Sequence, residues 1–239
     1  MDLDRAILPR AFFARDACTV ARDLIGRRLL AVVGGRLASG LIVEAEAYCQ
    51  GPEPDLACHG AKSGGRPTVR TAPMFGPAGH AYVYFTYGMH WMFNVVTGNH
   101  GQASAVLIRA LAPDAGLDAM RQRRGTGVPE RDLCRGPARL AQALGIDGAS
   151  SGVDLCPAED VASGLEDGGD DRMTLDTRSA SDAGQSSVAR IWLEAGHPPP
   201  GDRIRQGPRV GLGKTPEPWL SMPWRYWLAE DRFGSVKRA

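Results

Sequence analysis

Residues 81–96 read AYVYFTYGMHWMFNVV. Two runs rich in aromatic and β-branched residues are separated only by Tyr87-Gly88, which predicts two antiparallel strands joined at that point. Tight turns are usually filled by glycine, asparagine or aspartate. Here a tyrosine stands at the turn, with Met89 and Trp91 close behind. What such side chains meet at an exposed tip is the question that the surrounding sequence has to answer.

Upstream, LIVEAEAY (41–48) has a period of two. Leu41, Val43, Ala45 and Ala47 fall on one strand face, a core face; Ile42, Glu44, Glu46 and Tyr48 fall on the other. At about 3.3 Å of rise per residue, the two glutamates lie roughly 7 Å apart at Cα. The strand runs into a stretch, 49–80, that is rich in Gly, Pro and polar residues and contains His59, and so predicts a long ordered loop. A carboxylate at such a strand end is placed to meet a substrate. Two readings stay open from the residues alone: an acid/base pair of the glycosidase kind, or one catalytic glutamate whose neighbour is held by an arginine.

The remaining elements follow from periodicity. Residues 11–25 predict a first helix, with Asp16 and Thr19 as cap candidates. RRLLAVV and LASGLIVEAEAY predict strands paired across Gly34-Gly35, and SAVLIRAL (104–111) a buried strand. DAGLDAMRQRR and GPARLAQALGI predict two helices, the second opening after Gly136-Pro137. Residues 163–187 are acidic, small and nearly free of large apolar groups, which predicts a surface or disordered insertion. Residues 188–195 and 208–228 are expected to supply closing strands. The sum is one mixed α/β (α+β) domain over 1–239, and no internal repeat is visible.

Bulk properties narrow the function classes. No run approaches the ~18 apolar residues of a membrane span, and the start, MDLDRAILPRAFF, lacks the pattern of a signal peptide. The five cysteines, Cys18, Cys49, Cys58, Cys134 and Cys156, are spread singly, which argues against a disulfide framework or structural zinc and fits a reducing cytoplasm. No metal and no cofactor is expected. The net charge of +1 is uneven: residues 154–182 hold nine acids against Arg172 and Arg178, so the rest carries +8. Only Lys62, Lys214 and Lys237 of the 28 basic residues are lysine. An arginine-rich basic body suits a polyanion partner. Near the C-terminus GPRVGLGKT (207–215) imitates a nucleotide-binding loop but has Pro208 where the pattern requires glycine.

Taken in order, IVEAEAY, PMFGPAGHAYVYFTYGMHWMFNVV, ASAVLIRAL, LCRGPARLAQALGI and RVGLG resemble the alkyladenine (3-methyladenine) DNA glycosylases of mammalian type, which also occur in bacteria. The similar segments run from about Phe12 to Tyr226. The resemblance implies a curved antiparallel sheet with surrounding helices and a protruding hairpin that inserts into DNA. It implies double-stranded DNA as partner, bound through the minor groove, with a damaged purine flipped into a pocket and its N-glycosidic bond hydrolysed by an activated water. Tyr87 matches the residue that wedges into the gap left by the flipped nucleotide, and Met89 presses on neighbouring bases. Glu46 matches the catalytic general base, Arg109 the arginine that helps hold the water, and the carbonyl of Val210 a third contact to it; Glu44 takes a supporting place. Tyr48 and Tyr84 match the rings between which the base stacks, His59 a pocket histidine expected to face Tyr48, and Asn94 the residue that crowds the 2-amino group of guanine. The loop CQGPEPDLAC between Tyr48 and His59 is about two residues longer than the family pattern. None of the three lysines falls in the Glu46 strand or the hairpin, so a Schiff-base lyase step is not expected. A monomeric, monofunctional enzyme of the bacterial cytoplasm, nucleoid-associated when on DNA, is the resulting expectation. Its rivals are a non-catalytic damaged-DNA- or RNA-binding module on the same fold and a carbohydrate glycosidase.

Overall fold

The computed structural model of the chain describes residues 5–50, 53–157 and 189–235. The stretch 163–187, expected as an acidic insertion, lies outside the described residues. Among the described residues, eight antiparallel strands form one sheet. They are β1 (Arg28–Val33), β2 (Arg36–Tyr48), β3 (Ala81–Thr86), β4 (His90–Val96), β5 (Ala105–Ala115), β6 (Arg190–Glu194), β7 (Ile204–Gly207) and β8 (Arg225–Leu228). The main path runs β3-β4-β5-β2-β1-β6, while β8 pairs with both β2 and β7. β1 and β2 meet as expected across Gly34-Gly35, both in the left-handed region that a two-residue hairpin needs.

β2 carries the architecture. Its first half pairs with β1, its second half with β8 over Glu44–Glu46, and β5 lies along its other side throughout. The β2–β5 register breaks on both sides of Glu44. The strict alternation expected for LIVEAEAY therefore fails at one point. Ile42 joins Ala45 and Ala47 in the main core, whereas Val43 turns away to pack with Ala110 and Phe233. A bulge inserts one extra residue and re-aims the side chains around it.

Six short α-helices accompany the sheet among the described residues. The helix expected over 11–25 is two: α1 (Arg10–Phe13) and α2 (Ala17–Asp23), because Asp16 leaves helical geometry to cap the second through Cys18 N–H and Thr19 N–H. α3 (His59–Lys62) lies in the long loop; α4 (Leu117–Arg124), α5 (Glu130–Leu133) and α6 (Pro137–Leu144) follow β5. The main core holds Phe13, Val20 and Leu24 near α1 and α2, Leu140 and Leu144 of α6, and Val83, Phe93, Val95, Val106 and Ile108 from the sheet. A smaller cluster of Cys58, Met74, Phe75, Tyr82, Val96, Ala103 and Ala105 joins the sheet to the long loop, with Tyr48 and Tyr84 packed on it. The expected closing strand at 208–228 is mostly loop; only β8 at its end is extended, with β7 supplied by Ile204–Gly207. Residues 208–224 hold Pro208, Pro216, Pro218 and Pro223, which donate no ladder hydrogen bond.

Candidate active site

Directly opposed residues of antiparallel strands share a face of the sheet. Tyr82 is paired with Asn94, Asn94 with Leu107, Leu107 with Glu46, and Glu46 with Arg225. One row across β3, β4, β5, β2 and β8 thus sets Tyr82, Asn94 and Glu46 on the same face, beneath the long loop. Period two along β3 and β2 adds Tyr84 and Tyr48 to that face.

Glu46 is fully buried, but among polar groups and not in the apolar core. Its Oε1 accepts from the Val210 N–H at 2.7 Å; its Oε2 accepts from the Tyr48 hydroxyl at 2.9 Å and from Arg109 Nη1 at 3.1 Å. Arg109 also donates from Nε to Glu44 at 2.9 Å and from Nη2 to Ser235 Oγ at 3.2 Å. Burial works against the Arg109 charge, but Glu46 and Glu44 outweigh it and hold the guanidinium above its ordinary value. Glu44 accepts further bonds from Ser235 N–H at 2.6 Å and Ser235 Oγ at 2.8 Å, so it ties the C-terminal segment to the sheet. At Val210, whose carbonyl was expected as a contact to the water, the N–H is what reaches the Glu46 carboxylate. The Tyr48 phenol is pushed well above its ordinary value by burial and by the Glu46 charge, so at neutral pH it is a proton-bearing donor.

Tyr48, His59, Tyr84, Asn94 and Tyr87 line one cavity of about 190 Å³, together with Tyr82, Lys62, Met74 and, from the turn after Val210, Gly211, Leu212 and Thr215. That is small beside the ~300–1,000 Å³ of ordinary ligand pockets, and suits a single planar base better than an oligosaccharide. Glu46, Arg109 and Val210 are not among the lining residues; the cavity reaches the carboxylate through the Tyr48 hydroxyl. His59 shares the cavity with Tyr48, which it was expected to face, and makes its ring contact with Tyr84. Its ring stands edge-on to Tyr84 at 4.6 Å, and its Nδ1 shares a 2.8 Å hydrogen bond with the Tyr82 hydroxyl. Burial, then the nearby Arg70 and Lys62, lower its pKa to about 4, which leaves a neutral imidazole at neutral pH. Burial raises Tyr84 to about 12. Asn94 is anchored to the Tyr82 carbonyl through its amide nitrogen at 3.0 Å.

The hairpin loop holds three residues, 87–89, since Thr86 pairs with His90. Tyr87 adopts φ +52°, a left-handed conformation that costs a non-glycine residue about 1–2 kcal/mol. Its side chain is 77 % exposed and that of Met89 67 %, so the strain serves no internal packing. The stalk is braced instead. Phe85 packs against Trp91, the ring centres 4.7 Å apart and the planes tilted by 49°, and Trp91 lies so close to Gly148 that a Cβ there would meet the ring at 2.7 Å. Segment 151–153 covers the outer edge of β3 through bonds to both polar groups of Ala81.

Sequence reasoning missed several participants. Arg209 and Asp55 form a fully buried ion pair at 2.5 Å, with the Arg209 guanidinium 4.6 Å from the centre of the Tyr48 ring. Arg70 stands 5.0 Å over Tyr84. Lys62, placed only in a loop by the sequence, borders the cavity. The one available signal was the position of Arg209 inside RVGLG, beside Val210. Among the described residues no group of three or more His, Cys, Asp or Glu could hold a metal ion, and no helix is long and apolar enough to cross a membrane.

Comparison with known proteins shows the family of the chain. The family model described as Methylpurine-DNA glycosylase (MPG) matches residues 11–232. A provisionally named 3-methyladenine DNA glycosylase of Burkholderia lata is 42 % identical over 230 residues, covering 96 % of this chain and 91 % of that protein. Proteins of the same provisional name are 46 % identical in Carboxydothermus hydrogenoformans, over 79 % of this chain and 95 % of theirs, and 43 % identical in Rhodopseudomonas palustris, over 95 % and 87 %.

Proposed function

The chain belongs to the methylpurine-DNA glycosylase family, and from that membership we propose that it is a monofunctional base-excision repair glycosylase. It takes alkylated or deaminated purines out of duplex DNA, approached from the minor groove, and hydrolyses the N-glycosidic bond to leave an abasic site. It acts as a monomer in the bacterial cytoplasm, on the nucleoid when bound to DNA, and needs no cofactor.

The observation that carries this reading is Glu46 held by three donors directly behind an aromatic wall of a base-sized cavity. The flipped purine lies between Tyr48 and Tyr84, with His59 at its edge and the Asn94 side chain crowding a 2-amino group. A neutral His59 can donate or accept a hydrogen bond without adding a cation to the pocket. Tyr87 enters the stack in place of the flipped nucleotide. Ejecting a base costs a few kcal/mol, of which an inserted ring restores part. As the bond to the base lengthens, positive charge develops on the sugar, and the Glu46 carboxylate stabilises it. Water held by Glu46 and Arg109 adds its oxygen to C1′ and gives its proton to Glu46, while the bonding electrons leave with the base. A base alkylated on its ring nitrogen leaves as a neutral molecule without further protonation.

Release of free base from methylated duplex DNA tests the reading. Wild type is expected to release it, and Glu46→Gln to be slower by about 10²–10⁴-fold, the usual worth of a positioned base, with duplex binding retained. Equal release by both proteins refutes the assignment of Glu46. Binding of damaged duplex without release by wild type favours the non-catalytic alternative. Because Lys62 borders the cavity, borohydride trapping is the direct check for a lyase step, and no covalent adduct is expected.

A further inference from the structure

We propose that Arg209, anchored by Asp55, is a positioning residue of this site: it fixes the Tyr48 ring and the Val210 peptide so that both keep their hydrogen bonds to Glu46. The proposal rests on the glycosylase reading above and adds to it a residue that touches neither base nor sugar.

Three donors hold Glu46, and two of them belong to groups that Arg209 controls. The Tyr48 hydroxyl is one, and the Arg209 guanidinium lies 4.6 Å from the centre of that ring. The Val210 N–H is the other, and the peptide that carries it is formed with the Arg209 carbonyl carbon. The guanidinium is also 5.0 Å from the centre of the Trp224 ring. Its Nη1 donates to the Ala47 carbonyl at 2.9 Å and to Asp55 at 2.5 Å; its Nη2 donates to Asp55 at 2.9 Å and to the Trp219 carbonyl at 3.1 Å. One side chain thus gathers the end of β2, the loop after it and the segment 219–224.

Stability alone is a poor account of this cluster. Both side chains of the pair are fully buried, and a buried ion pair is often no more stabilising than apolar residues of the same volume. Nε is buried with no hydrogen-bond partner, so the guanidinium sits where the Tyr48 and Trp224 rings place it, at the expense of one bond. A planar fork with several donors can stack on rings and donate in four directions at once. An ammonium cannot.

Arg209→Lys tests this, since it keeps a cation opposite Asp55 but removes the plane. A second variant, Asp55→Asn with Arg209→Gln, removes both charges and leaves no lone buried ion should the first not fold. Thermal unfolding, undamaged-duplex binding and single-turnover base release are measured on each, together with a crystal structure of the folded variant. The expected result is an intact unfolding transition and unchanged duplex binding, with base release about 10–100-fold slower, since a displacement near 1 Å can cost 10²-fold. The structure is expected to show the Tyr48 hydroxyl or the Val210 N–H drawn away from Glu46. Release within about twofold of wild type in a folded variant overturns the proposal and makes the pair a structural staple. If wild type itself releases no base, the glycosylase reading falls, and unchanged Tyr48 and Val210 positions in the variant structure overturn the positioning role separately.

Discussion

The carboxylate cluster and the hairpin tip are opposites in physical design. Around Glu44 and Glu46, charge is taken out of water and every carboxylate oxygen is met by donors from β2, β5, the Val210 turn and the C-terminal segment. At the tip, Tyr87 and Met89 extend large apolar surfaces into solvent, Tyr87 from a left-handed backbone. The first region has its carboxylates satisfied within the chain; the second leaves apolar side chains in water. On the function proposed above, the difference is where order is supplied in advance: a group proposed to hold a charge at a reacting atom is preorganised by the fold, whereas a proposed wedge stays available for the stack it would enter.

Three measurements can break or sharpen that contrast. The largest effect is expected from Arg109→Met, which leaves Glu44 and Glu46 buried beside one another without their shared cation. A loss of about 3–5 kcal/mol of stability is expected, and a change below about 1 kcal/mol in denaturant unfolding would mean that the cluster is solvated and not preorganised. Next comes Tyr87→Gly. Glycine relieves the left-handed residue, a gain partly offset by the added freedom of the unfolded chain, so stability is expected to rise by up to about 1 kcal/mol while lesion-specific binding falls by roughly tenfold, about 1.4 kcal/mol. A parallel loss of stability would show that the tyrosine packs on its own protein. The smallest effect concerns acid. With a folded-state pKa near 4 against 6.5 for the free side chain, His59 takes up its proton more readily in the unfolded chain. Its presence therefore lowers stability progressively as pH falls from 6.5 towards 4. His59→Gln is expected to flatten that slope and to leave stability above pH 6.5 nearly unchanged; identical slopes for both proteins would contradict the burial of the imidazole.

Much of this was legible in local pattern. The 81–96 hairpin, the β1–β2 pairing across two glycines and the buried strand of β5 rest on alternation and turn chemistry, which act over a few residues. The helix over 11–25 was half legible, because a cap at Asp16 overrides periodicity that runs through it. The bulge at Val43 was not legible, since what turns that side chain is contact with Phe233 from the far end of the chain. Nor was the Arg209–Asp55 pair, whose members lie 154 residues apart. The contacts of His59 with Tyr84 and the Tyr82 hydroxyl were not legible either, because the direction of a loop residue is set by the cluster of Met74, Phe75 and Tyr82 beneath it.

The order of residues by itself determined most of the strands and helices, which family they match, and that a glutamate-bearing strand and an aromatic hairpin with an unusual tip occur in one chain. Tertiary structure alone decided which donors surround that glutamate, which rings meet His59, and that an arginine next to Val210 lies against Tyr48. Hydrogen bonds within strands and turns follow short-range pattern; the burial of charge depends on partners that only folding brings within reach.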